Sequence, residues 1–179
     1  MRRGLHIAAL IAGVLGAHEA AAKDMGGRFG IGGAQTLGGV RGLDVMYWAG
    51  KLALNGTVSF LFASPDGGNS GLAVNLAAGV LFPLLGGDHA DLSIGGRFDI
   101  AAAKDRDPEF AIEAPLRIEW YASENLSLHA EVGVALDLVG DRGRLLAGAG
   151  SAFAGSGGGT GFTIGGTYVT AGGGFTVYF

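Results

Sequence analysis

Thr167-Tyr-Val-Thr-Ala-Gly-Gly-Gly-Phe-Thr-Val-Tyr-Phe179 closes the chain in strict period two. Successive side chains of a strand point to opposite faces. Val169, Ala171, Gly173, Phe175, Val177 and Phe179 therefore share one face, and Tyr168, Thr170, Gly172, Gly174, Thr176 and Tyr178 share the other. A run of this length exceeds what a globular sheet usually needs and suits a tilted strand crossing a bilayer. The segment reads as the last stave of a transmembrane barrel; a terminal strand of a soluble sandwich is the other reading it allows.

The same alternation is clearest over 110–138. Phe110, Ile112, Ala114, Leu116, Ile118 and Trp120, then Leu126, Leu128, Ala130, Val132, Val134, Leu136 and Leu138, are all apolar at even positions. Of the 12 odd positions opposite them, 8 are charged or hydrogen-bonding: Glu113, Arg117, Glu119, Tyr121, Ser127, His129, Glu131 and Asp137. With 49% of the chain hydrophobic, such an unbroken run arises by chance only about once in 10⁴ trials. Leu92, Ile94, Phe98 and Ile100 oppose Asp91, Ser93, Arg97 and Asp99 in the same way, and Leu54, Val58, Phe60 and Phe62 oppose Asn55, Thr57 and Ser59.

Eight strands are predicted, over 27–36, 42–48, 52–63, 71–84, 90–103, 109–121, 125–138 and 166–179. No segment between them carries helical periodicity. The fold expected is all-β, an antiparallel up-and-down eight-stranded transmembrane β-barrel. An even strand count returns both ends to one rim, as in bacterial outer-membrane barrels. Connections alternate in length. Ala49–Lys51, Gly86–His89 and Ser123–Glu124 are tight, whereas Thr36–Arg41, Ser64–Ser70, Lys104–Pro108 and Gly140–Gly165 are longer. The longer set is expected outside the cell, with the run Gly155–Thr160 read as flexible loop. A ten-strand variant would add a hairpin from Leu145–Ala154 and Gly161–Tyr168.

Met1–Ala22 has the layout of a secretory signal peptide: Arg2 and Arg3, a short apolar run from Leu5 to Leu15, and Ala20-Ala21-Ala22 before Lys23. Residues 23–179 then form one barrel domain. The apolar run is too short for a spanning helix, and no later segment is long and apolar enough to be one. Cysteine is absent, which removes disulfides and thiolate chemistry. The 12 Lys and Arg against 16 Asp and Glu give an acidic chain, and nucleic-acid binding calls for a basic face. Gly 36 and Pro 4 of 179 residues approach, without reaching, the proportion that suggests disorder.

Alternation by itself does not say which face meets which solvent. The charged face mixes small residues with both signs of charge, which suits the narrow interior of an eight-stranded barrel. Register counting brings Arg97, Glu113, Arg117 and Glu131 within reach of one another, and paired charges survive away from bulk water. Arg97, Asp99, Glu113, Arg117, Glu119, His129 and Glu131 are therefore expected to form a charge network in the lumen. Tyr47, Trp48, Trp120 and Tyr121 lie near strand ends, where an aromatic girdle would sit.

On these features the chain resembles the small eight-stranded outer-membrane β-barrel families of the OmpA/OmpX type. Gly174, Val177 and Phe179 match the C-terminal barrel-assembly signal of that family, with Gly172 where a polar residue is usual. The resemblance implies a monomer in the bacterial outer membrane, recognition of the last strand by the barrel-assembly machinery, and contact with outer-membrane lipid. It also implies a largely plugged lumen, with a structural or surface-interaction role through the loops around Asp66, Asp105 and Gly140–Gly165. Two alternatives stand beside it: a narrow pore, and a secreted lipocalin-like barrel with reversed faces and an apolar ligand.

No catalytic, cofactor or metal site is expected. Ser127, His129 and Glu131 alternate on one strand face, but same-face neighbours lie nearly 7 Å apart, beyond hydrogen-bond reach. Lipid A deacylases resemble this in using His and Ser, with a spacing this chain lacks. Gly30-x-Gly32-Gly33 is followed by no helix that would make it a phosphate loop. No cluster has metal-ligand spacing.

Overall fold

The computed structural model describes residues 23–63, 71–104, 107–139, 159–164 and 171–179. The proposed signal peptide, the loop tips at Asp66 and Asp105, and Leu145–Ala154 lie outside them. The elements are β1 (Phe29–Gln35), β2 (Arg41–Ala49), β3 (Leu52–Ala63), β4 (Gly71–Gly86), β5 (Ala90–Ala103), β6 (Glu109–Tyr121), β7 (Leu126–Val139), β8 (Gly159–Ile164) and β9 (Ala171–Tyr178). Each pairs antiparallel with its neighbour, and β9 pairs with both β7 and β1, so the sheet closes into an eight-stave barrel.

The last stave is made of two pieces. Val134 pairs with Ile164 and Val132 with Ala171, so β7 advances by two residues while its partner advances by seven. The strand expected over 166–179 therefore starts at Ala171, and β8 serves the upper half of β7 in its place. Gly159 and Thr160, read as flexible loop, belong to this strand. The ten-strand variant fails here, because β8 adds to an existing stave. Alternation in a Gly- and Thr-rich run sets a face but not a register.

Registers fix the barrel's geometry. From Trp120, successive partners are Leu128, Phe175, Gly33, Leu43, Val58, Leu76, Ile100 and then Phe110, ten residues from the start on the same strand. Over eight staves, with a rise of about 3.3 Å and a spacing of about 4.8 Å, that stagger tilts the strands by about 40°. One irregularity interrupts it: the β4–β5 register shifts between Pro83 and Leu85. The extra residue leaves both Leu84 and Leu85 exposed on the outer face.

The short connections define a lower rim. Gly50 (φ 64°) supplies the left-handed residue of the tight β2–β3 turn. Lys23 and Phe179, at the two ends of the described chain, lie at this rim as well. Lys23 Nζ donates to the Ser123 and Glu124 carbonyls at 3.3 and 3.1 Å, and the Phe179 N–H donates to the Phe29 carbonyl at 2.8 Å. Arg28 adds bonds to the Glu124 carbonyl and Asn125 Oδ1 at 2.8 and 3.0 Å. Two cations thus strap the β6–β7 turn to the first strand.

A polar lumen as the candidate functional site

Charge lies inside and apolar surface outside. Arg97, Asp99, Glu113, Arg117, Glu119, His129 and Glu131 are all buried. The outer face presents Leu43, Leu54, Phe60, Leu72, Phe82, Ile94, Phe98, Ile112, Ile118, Leu128, Val132 and Phe175, all exposed. Two of the four girdle aromatics turn the other way. Tyr47 and Trp120 face outward at 45% and 50% exposure, whereas Trp48 and Tyr121 retain 3% and 4% and point into the barrel. Adjacent residues of a strand cannot share a face, so each pair had to split.

At mid-height Arg97 lies between two carboxylates. Its two terminal nitrogens grip Glu131 at 2.8 and 2.7 Å, and Nη1 also reaches Glu113 at 3.0 Å. This fork geometry is the strong form of the ion pair. Arg117 lies 3.6 Å from both Glu119 and Glu131 and donates to His129 Nδ1 at 2.7 Å. Glu119 in turn accepts from the Ser127 and Tyr178 hydroxyls at 2.5 and 2.6 Å. Ser127 and His129 thus each bond across to β6, which is not the arrangement of a nucleophile and its base.

These long side chains reach toward a wall of small residues, because the inward positions Gly30 and Gly32 on β1 and Gly172 and Gly174 on the upper part of β9 are glycine. A Cβ on Gly30 would stand 2.5 Å from Thr176 Cγ2, one on Gly172 would stand 2.9 Å from Glu131 Oε2, and one on Gly174 would stand 2.8 Å from His129 Cε1. Gly174 therefore has a packing role inside the lumen. Val177 and Phe179 point outward, Phe179 at 73% exposure.

Below the charges, Met25, Met46, Trp48, Ala53, Leu81, Tyr121 and Tyr178 form an apolar floor. Above them lies a feature the sequence reading missed. Thr36–Arg41 was expected as an outward loop, but Thr36, Leu37 and Val40 are buried. Val40 packs against Ala77, Ala101 and Ala111 inside the barrel. The Thr36 hydroxyl donates to Asp99 Oδ2 at 2.7 Å, and the Gly38 N–H donates to Glu113 Oε1. Asp99 thus pairs with this segment rather than with an arginine.

The reading also overlooked Asp44, the one ionisable residue on the inward face of β2, which accepts from Thr57 at 2.8 Å. The alternation Asp44, Met46, Trp48 against Leu43, Val45, Tyr47 was the available signal. From β4–β6 alone, wall alanines at 77, 101 and 111 sit where the inserted segment packs. No protein-family model matches the chain, and no curated protein matches it in sequence.

Proposed function

We propose that this chain is an integral outer-membrane β-barrel of the small eight-stranded kind, a monomer with a plugged lumen, whose role is structural or is exerted through its upper loops. The observation that carries the reading is the apolar belt. Trp120 and Phe110 are exposed or half-buried on the outer face of one strand, ten residues apart. At a tilt of about 40° that separation spans about 25 Å along the barrel axis, the height of the lipid-facing band in such barrels. Exposed apolar surface continuing around a closed wall exceeds the patches of a few hundred Å² that soluble monomers carry. A lipocalin-like barrel needs the reverse arrangement, an apolar cavity beneath a polar exterior. Buried Arg97 and Glu131 speak against it.

Plugging speaks against a pore as well: the aromatic floor, the Arg97–Glu131 pair and the Thr36–Val40 segment obstruct the lumen at three heights. No catalytic role belongs to this proposal. Its test is fractionation of the expressed protein, with the membrane pellet run on a detergent gel boiled and unboiled, and planar-bilayer recording of the purified barrel. An outer-membrane fraction that migrates faster unheated, with a silent bilayer, is the expected result. A product soluble without detergent overturns the membrane reading, and steady single-channel steps overturn the plug.

A further inference from the structure

The three obstructions differ in kind. The Arg97 pair, and all of the floor except Met25, come from wall strands and cannot leave without unzipping the barrel. Thr36–Val40 can. Three of its N–H groups are satisfied within the turn: Thr36 N–H donates to the Val40 carbonyl at 2.9 Å and Gly39 N–H to the Thr36 carbonyl at 3.3 Å. Thr36 Oγ1 also accepts from the Gly39 and Val40 N–H groups at 3.2 and 3.1 Å. Among the described residues, two hydrogen bonds, to Asp99 and Glu113, and the packing of Leu37 and Val40 tie the turn to the wall. The β1–β2 ladder from Phe29↔Tyr47 to Gln35↔Arg41 survives its departure.

What the turn covers is acidic. Inward-facing Asp44, Asp99, Glu113 and Glu131 share this part of the described lumen with Arg97 and Arg117, both already paired. Asp99 Oδ2 and Glu113 Oε1 converge on Gly38, lying 2.6 and 2.7 Å from where its Cβ would stand. Asp99 is wholly buried, and its Oδ1 has no hydrogen-bond partner among the described residues. The turn offers these carboxylates an N–H and a hydroxyl, the donors that a bound cation would bring.

We propose that Thr36–Val40 is a movable lid on a blind acidic cup, and that the open cup receives a cationic group, an ammonium or guanidinium, rather than passing a solute. The inference rests on the barrel reading above but not on the membrane, so it is tested on folded barrel in detergent. Gly38→Ala is the opening variant, because its methyl would collide with both carboxylates and with Ala111 Cβ at 3.0 Å. Its φ is not left-handed, so an expelled turn carries no strain from the alanine. Native cysteine is absent, so Ala111→Cys and, separately, Ala101→Cys report on the cup floor.

Each reporter is treated with a trimethylammonium thiosulfonate and with its sulfonate counterpart. With the native lid both reagents should react slowly. With Gly38→Ala the cationic reagent should react at least tenfold faster and outpace the anionic one at both reporters. Unchanged labelling in Gly38→Ala, or equal rates for the two reagents, would overturn the proposal. Labelling is read on the band that migrates faster unheated, so that folded barrel alone is scored for every variant.

Discussion

Arg97 shows how single residues hold this barrel. It is forked onto Glu131 and shared with Glu113, and all three side chains are out of solvent. Removing one partner of a buried pair strands the other charge at a cost of about 3–5 kcal/mol. Arg97→Leu should lower the stability of detergent-folded barrel by that amount in urea titration, and an unchanged midpoint would refute the network. Arg117→Leu should cost less, since its carboxylate contacts are 3.6 Å. Tyr178 makes a second test. Its hydroxyl carries the last strand's bond to Glu119, and a hydrogen bond to a charged group contributes about 1.5–3 kcal/mol. Tyr178→Phe should destabilise the barrel within that range, whereas Tyr47→Phe, on the outer face, should not. At this scale the sequence was informative wherever charge alternated with bulk, as in Arg97 and Glu131. It put Asp99 in the lumen but did not give its partner Thr36, 63 positions away.

Among the elements, β5, β6 and β7 were legible almost to their ends, because most changes of environment along them are also changes of polarity. The β1–β2 turn was not. Thr36-Leu-Gly-Gly-Val40 is a plausible exposed turn by composition, and its inward course is set by carboxylates on β5 and β6 and by small alanines facing it. Glycine blurred the last stave similarly: it carries no side chain to mark a face, so the break between β8 and β9 left no trace in the pattern. The last strand carries a separate prediction. If Phe179 serves insertion through the assembly machinery, Phe179→Ala, which keeps the N–H bond to the Phe29 carbonyl, should reduce outer-membrane yield in cells several-fold. It should leave the unfolding free energy of refolded barrel, from urea titration, within about 0.5 kcal/mol, as for other surface changes. A matching loss in both would assign Phe179 to stability.

For the whole molecule, one inversion organises everything: charges inside, hydrocarbon outside. The closed ladder leaves no strand edge along β1–β7 at mid-height, which satisfies the backbone where a bilayer could not. The two tryptophans report the inversion directly, because Trp120 faces out and Trp48 faces in at nearly the same height. Single-tryptophan variants, Trp48→Phe and Trp120→Phe, would be refolded into vesicles with and without brominated acyl chains. The account predicts strong quenching of Trp120 and little of Trp48. Quenching of Trp48 but not Trp120, or a protein that never enters the vesicles, would contradict it.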